Sequence, residues 1–279
     1  MPTFAAFDGT QLSYDVIGSG RPLICLPGGP ARASVYLGDL GGLGAQRRLI
    51  RLDLRGSGGS AAPADPATYR CDRQVGDVEA LREHLGVEQI DVLAHSAGGD
   101  LAVLYAARYP ERVASLALIT PSAQALGIEF TERDRREAAG LRMGEPWFTE
   151  AYGALGRIWT GRGTDADWEG VRPFTYGRWD AAARAHAASG AAQRNADAAA
   201  RYAAEGAFDP ESTRAALAGF GAPVLVLAGE VDGGPRPRVA GEVARVFPRG
   251  ECVVQRDGGH FPWLDDAGWF VGAVAGFLG

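Results

Sequence analysis

Asp91-Val92-Leu93-Ala94-His95-Ser96-Ala97-Gly98-Gly99-Asp100 decides the reading of this chain. An apolar run of strand length enters a serine with small residues two positions away on either side, then leaves as a helix. A serine at such a corner sits on a strained turn that exposes its hydroxyl and leaves room nearby only for Ala or Gly. Ala94 fills the first small position, where Gly is commoner, and a methyl group is tolerable there. The bland alternative is a buried turn serine with no chemistry, so the motif needs partners elsewhere.

Outward from that corner, apolar runs rich in Val, Ile and Leu recur at Pro22 to Leu26, Arg48 to Leu52, Gln89 to Ala94, Ser115 to Thr120, Pro223 to Ala228 and Cys252 to Gln255. Near-continuous apolar character marks strands covered on both faces, as in a parallel sheet. Ahead of them, Phe4 to Phe7 and Gln11 to Val16 flank Asp8-Gly9-Thr10, a hairpin signal, so the sheet is expected to begin antiparallel. Val75, Val78, Leu81 and Leu85 share one helical face, and Leu101, Leu104 and Ala107 another, in a segment stopping near Tyr109-Pro110. Strand alternating with helix implies right-handed parallel crossovers and an α/β fold. From about Pro121 to Ala216 the alternation breaks into an Ala-rich stretch holding Trp147, Trp159, Trp168 and Trp179, which reads as several helices. An all-helical insertion between sheet strands is what a lid looks like in sequence; a structural subdomain without a gating role is the alternative.

A serine hydroxyl needs a base and a carboxylate that orients it, expected downstream in the order Ser, Asp, His. Asp232 follows the strand Pro223 to Ala228 in Gly229-Glu230-Val231-Asp232-Gly233-Gly234, a loop at a strand's carboxyl end, where sites of open α/β sheets gather. His260 follows the next strand in Asp257-Gly258-Gly259-His260-Phe261-Pro262-Trp263. Ser96, Asp232 and His260 are therefore the expected catalytic triad. Glu230, Asp257, Asp265 and Asp266 are the rival carboxylates, the last two reading as the start of a final helix. Of the other histidines, His84 ends an amphipathic helix and reads as solvated, and His186 in the Ala-rich stretch could face either way. His95 adjoins the nucleophile; it is expected to shape the pocket, not to act as base. Acyl transfer also needs donors for a developing oxyanion. Leu26-Pro27-Gly28-Gly29-Pro30 offers a backbone able to approach a ligand, so the Gly29 and Ala97 amides are the expected oxyanion hole, with Gly28 beside the substrate. No Lys-Ser/Thr follows those glycines, which disfavours phosphate binding. Asp53 and Arg55 read as loop structure.

Composition narrows the partners. With 28 Lys and Arg against 34 Asp and Glu, the 279-residue chain carries a formal net charge of -6 and no basic run, so neither nucleic acid nor an anionic membrane is an expected partner. The expected partner is a small-molecule substrate. Three cysteines, Cys25, Cys71 and Cys252, lack the spacing of a disulfide framework or zinc site and read as buried reduced thiols. The beginning of the chain lacks the pattern of a signal peptide, and the apolar run from Ala267 to Leu278 is shorter than the roughly 20 residues of a membrane span. A cytoplasmic location follows as an expectation, the run reading as a helix packed on the sheet. Oligomeric state is left open.

These residues resemble the α/β-hydrolase family and, within it, the proline iminopeptidase-like branch. Pro27-Gly28-Gly29-Pro30 is similar to that branch's His-Gly-Gly-Pro, Asp53-Leu54-Arg55-Gly56-Ser57-Gly58-Gly59-Ser60 to its Asp-x-Arg-Gly-x-Gly-x-Ser, and the serine corner and Gly259-His260-Phe261-Pro262-Trp263 match as well. Tyr109-Pro110-Glu111-Arg112-Val113 adds a stretch common in the superfamily. Pro27 departs from the branch's His, and Ala97 stands where the peptidases usually carry Trp, which makes the corner more like that of general esterases. The resemblance implies an α/β-hydrolase fold: a mostly parallel eight-stranded sheet flanked by helices, with residues 1–121 and 217–279 as core and 122–216 as an inserted helical cap. It implies a serine hydrolase cleaving a small ester or amide through an acyl-enzyme, with an N-terminal aminoacyl bond as one candidate and no metal or organic cofactor. Proline iminopeptidases hold the substrate's free amine with acidic lid residues; Asp180 resembles one of these, Trp179 beside it is a further expected substrate contact, and Glu205 is the candidate for another acidic one. A cofactor-free lyase or cyclase on the same fold, and a noncatalytic ligand receptor, are the alternative readings.

Overall fold

The computed structural model describes all residues, Met1–Gly279. Eight strands form one sheet: β1 (Thr3–Ala5), β2 (Gln11–Ile17), β3 (Pro22–Leu26), β4 (Arg48–Leu52), β5 (Ile90–His95), β6 (Val113–Ile119), β7 (Val224–Gly229) and β8 (Gly250–Gln255), in the order β1-β2-β4-β3-β5-β6-β7-β8. β2 runs antiparallel to β1 and β4, and every later neighbour is parallel. The hairpin is as the sequence implies, with Thr3 opposite Ser13, but β1 ends at Ala5 instead of Phe7. The turn closes early: Ala6 donates its amide to the Thr10 carbonyl and Gly9 donates to that of Ala6.

Alternation along the central strands explains their apolar runs. Ile24, Leu26, Val92, Ala94, Leu116, Leu118, Val224 and Val226 join the core on one face, while Leu23, Cys25, Leu93, Ala117, Ile119, Leu225 and Leu227 join the core on the other. The first face is covered by α1 (Cys71–His84) and α2 (Gly98–Arg108), through Val75, Val78, Leu81, Leu101 and Tyr105. β8 is an edge strand, so Cys252 is half-buried and not fully buried like Cys25 and Cys71.

Between β6 and β7 the chain forms no strand. It builds α3 (Glu132–Gly140), α4 (Phe148–Trp159), α5 (Asp165–Gly170), α6 (Ala181–Gln193), α7 (Ala196–Tyr202) and α8 (Pro210–Leu217). Thr131 and Thr164 start α3 and α5 with capping boxes, and α8 packs against α2 with Leu217 in the core. The chain returns through β7, α9 (Pro237–Ala244) and β8 to α10 (Pro262–Asp265) and α11 (Ala267–Leu278). Phe270, Val274 and Leu278 of α11 cover the second face of the sheet, and no helix is long and apolar enough to cross a membrane. Asp53 and Arg55 pin loops: Asp53 accepts the Ser34 and Gly59 amides at 2.7 and 2.8 Å, and the buried Arg55 grips Asp77 with two bonds of 2.6 Å.

Candidate active site

Ser96 opens the two-residue corner, Ser96-Ala97, between β5 and α2, with φ at 53°. A non-glycine residue held there stores backbone strain, and such outliers cluster at functional sites. Its amide donates to the Ile119 carbonyl of β6 at 3.1 Å, while its carbonyl accepts the Gly99 and Ser122 amides at 2.8 and 2.9 Å, so three elements hold the turn. Gly28 packs directly on it: a Cβ at that position would stand 2.7 Å from both the His95 carbonyl oxygen and the Ser96 Cβ. The family resemblance of Pro27-Gly28-Gly29-Pro30 thus has a steric cause, the approach of one loop backbone to the serine turn.

The Gly29 and Ala97 amides have no acceptor within the protein, whereas the Gly28 amide donates to the Tyr36 hydroxyl at 2.7 Å. Ala97 also precedes the N-terminus of α2, whose unpaired amides and dipole favour negative charge.

His260 donates from Nδ1 to Oδ2 of Asp232 at 2.8 Å, and the Asp232 carboxylate is buried. That bond leaves Nε2 as the proton-accepting nitrogen. None of the rival carboxylates hydrogen-bonds to the His260 ring, whose carboxylate partner is Asp232. Glu230 accepts the Asp257 amide, Asp265 accepts those of Gly259 and Arg178, and Asp266 caps α11 at Trp269. Gly259 is needed for a close passage, since a Cβ there would meet the Gly177 nitrogen at 2.5 Å. Ser96 and His260 line one cavity of about 530 Å³, although no hydrogen bond joins the serine hydroxyl to the imidazole. In unliganded sites such bonds are often long and tighten only around substrate.

His95 ties these parts together. Its Nε2 lies 2.8 Å from the His260 carbonyl oxygen, which can only accept, so Nε2 carries the proton and Nδ1 accepts from the Tyr36 hydroxyl at 2.7 Å. Tyr36 in turn accepts from Gly28, so one chain of hydrogen bonds runs from the glycine loop through Tyr36 and His95 to the His260 loop. Burial, aided by the neighbouring His260, holds the His95 pKa well below its ordinary value, which keeps the ring neutral in this relay.

Arg172, Thr175, Tyr176, Gly190 and Arg194, all between β6 and β7, roof the cavity, and Arg32 and Tyr36 form its wall. A second, more apolar cavity of about 340 Å³ also reaches His260 and Asp232, lined by Phe130, Ala138, Leu155 and Phe174.

Three of the residues expected to bind substrate stand elsewhere. Asp180 is exposed and spends its carboxylate capping α6 at the Ala183 amide, 3.0 Å away. Glu205 is exposed and meets Arg70 only through its carbonyl. Trp179 packs on Tyr176 at 5.4 Å and lines an outer groove with Trp147 and Arg184. Sequence reasoning missed Tyr36, Arg32, Arg172 and Arg194; only Arg32 carried a signal, its place three residues after Gly29 in the glycine loop.

Comparisons with known proteins bear on the family and the fold. The family model described as the alpha/beta hydrolase fold matches residues 21–267. A proline iminopeptidase from Lactobacillus helveticus is 38% identical over 119 residues, which is 40% of this chain and 40% of that protein, so the match spans about two-fifths of each. Over nearly full lengths, the crystal structure of a proline iminopeptidase from Mycobacterium smegmatis superposes with a TM-score of 0.78 at 26% identity, covering 99% of this chain and 97% of that one. An esterase from a Rhodococcus species superposes with a TM-score of 0.72 at 27% identity, covering 99% and 98%. From the family match along most of its length and the serine corner at the carboxyl end of β5, this chain belongs to the α/β-hydrolase family.

Proposed function

We propose that the protein is a serine hydrolase that cleaves a small carboxylic ester through an acyl-enzyme. The observation that carries this reading is the Asp232–His260 hydrogen bond of 2.8 Å beside a cavity that Ser96 and His260 line together. His260 Nε2 takes the proton of Ser96 Oγ as the oxygen bonds to the substrate carbonyl carbon, and the buried Asp232 carboxylate stabilises the imidazolium that forms. The Gly29 and Ala97 amides, free of internal acceptors, donate to the carbonyl oxygen as it becomes negative. Collapse expels the alkoxide, which takes its proton from His260. Water, deprotonated by the same imidazole, then attacks the acyl carbon and restores Ser96. The segment of residues 122–216 acts in this reading as a cap that keeps bulk water from the acyl-enzyme.

An ester is favoured over an N-terminal aminoacyl bond by the charge of the cavity. A free substrate amine calls for a carboxylate close to the scissile bond, and no Asp or Glu lines the cavity that holds Ser96. Paired chromogenic substrates test the choice: a short-chain 4-nitrophenyl ester against an unblocked prolyl 4-nitroanilide, each with wild type and Ser96→Ala. The ester is expected to be cleaved by wild type alone, with the anilide spared. Serine-dependent cleavage of the anilide at a comparable rate would instead establish an aminopeptidase, and ester cleavage that survives Ser96→Ala would remove the nucleophile assignment.

A further inference from the structure

The cavity beside Ser96 is cationic in a protein that is acidic as a whole. Three guanidinium groups, Arg32, Arg172 and Arg194, line it, with no Asp or Glu among its walls, while the chain carries a formal net charge of -6. Arg32 is the telling one. It is 8% exposed and forms no ion pair with any carboxylate. Nε donates to Gln193 Oε1 at 2.8 Å, and Nη2 donates to Ser189 Oγ at 3.1 Å and the His186 carbonyl at 3.2 Å, while Nη1 makes no hydrogen bond. The guanidinium carbon lies 4.4 Å from the centre of the Tyr36 ring, and Gly190, with no side chain, leaves the space over it open. Burying a charge without a counter-ion costs stability, and chains rarely keep one unless a ligand completes it. Arg194 is exposed at the rim, and its side chain makes neither an ion pair nor a hydrogen bond; its backbone bridges that of Arg32. Arg172 pairs outward with the exposed Glu169 and donates to the Ala187 carbonyl at 2.8 Å.

We infer that the substrate is itself an anion: an ester bearing a carboxylate that lies against Arg32, with Arg194 and Arg172 drawing it in from the rim. This rests on the serine hydrolase reading and names the substrate class of that site. The scissile carbonyl sits between Ser96 and the free Gly29 amide, and the carboxylate reaches Nη1 of Arg32, three residues further along the same loop. A guanidinium gives a carboxylate short, charge-assisted hydrogen bonds that a neutral ester of the same shape cannot accept as strongly.

Two pairs of esters test this, one for each arm of the substrate. The acyl arm is probed with 4-nitrophenyl hemiadipate against the 4-nitrophenyl ester of monomethyl adipate, and the alcohol arm with 4-acetoxybenzoate against its methyl ester, with spontaneous hydrolysis subtracted. In at least one pair the anion is expected to be favoured in kcat/KM by about tenfold or more, and the preference should shrink as salt is added. The anion-to-neutral ratio, which a general loss of folding or activity does not move, should collapse in Arg32→Gln, survive in part in Arg32→Lys and fall less in Arg194→Gln. Equal rates within both pairs, or a ratio unchanged by Arg32→Gln and Arg194→Gln, would overturn the inference while leaving the hydrolase intact. Ser96→Ala protein separates the two claims further, because calorimetric binding of monomethyl adipate needs no turnover. Binding that Arg32→Gln abolishes supports the anion site even if the nucleophile is misassigned, whereas binding no tighter than that of dimethyl adipate sinks it.

Discussion

Ser96 spends about 1–3 kcal/mol of backbone strain to hold φ at 53°, and the neighbouring amides that support it leave its hydroxyl free to face the cavity. Replacing it by Ala keeps the turn and removes only the hydroxyl proposed as nucleophile, so Ser96→Ala should fold and lose the proposed ester hydrolysis to background. Asp232→Asn should lower kcat by roughly 10⁴-fold, because an amide in place of the carboxylate favours the wrong tautomer of His260. Circular dichroism and steady-state kinetics on the purified variant check both the fold and the loss. Tyr36→Phe removes the hydroxyl that Gly28 donates to and that donates to His95, leaving a buried donor and a buried acceptor unpaired. The expected cost is about 1–3 kcal/mol in urea denaturation together with a fall in kcat. The three residues proposed as a triad each stand in a local motif at the end of a strand, so the sequence alone singles them out; the structure joins Asp232 to His260 and sets Ser96 and His260 on one cavity. Tyr36 and His95, 59 residues apart, become partners only when β5 and the loop after β3 meet, and no local pattern encodes that meeting.

At the scale of elements, the central strands were legible as near-continuous apolar runs because both of their faces are covered, whereas the acidic residues on the inserted helices were misread. Asp180 looked like a substrate ligand beside Trp179, yet an Asp just before a helical run is also a helix cap, and capping is its use here. The insertion is tied to the core through α6. His186 donates from Nε2 to the Tyr36 carbonyl at 3.3 Å and accepts the Tyr176 hydroxyl at 2.8 Å. Burial, and then the charge of Arg32, push the His186 pKa down to about 4 from 6.5. A histidine lowered in the folded state binds its proton more readily when unfolded, so its contribution is complete above about pH 6.5 and is lost as pH falls toward about 4. Wild type should therefore lose stability relative to His186→Gln across that window, by up to about 1.4 kcal/mol per pH unit. Denaturant titrations of both proteins at several pH values read the difference directly; a constant difference across the window would contradict the neutral buried ring.

The whole molecule is held at its antiparallel end by Arg55, a fully buried side chain that pairs with Asp77 from α1 and Asp8 from the hairpin turn. Arg55→Met leaves two carboxylates facing a site without their cation and should cost about 3–5 kcal/mol in unfolding free energy, seen as a lower urea midpoint. None of these three residues lines the cavity that holds Ser96, so the proposed ester hydrolysis by the fraction that remains folded should persist, which separates the architecture from the chemistry. The architecture in turn brings together loops from the carboxyl ends of β3, β5, β7 and β8, and this convergence makes one site from residues as distant as Gly28 and His260. The central claim is that Ser96, activated by His260 and Asp232, becomes acylated during turnover. Intact-protein mass spectrometry after exposure to a fluorophosphonate tests it most directly. The account predicts one adduct, mapped to Ser96 by peptide digestion, absent in Ser96→Ala and formed far more slowly in His260→Ala; a folded wild-type protein that takes up no adduct, or takes it up equally without Ser96, would contradict it.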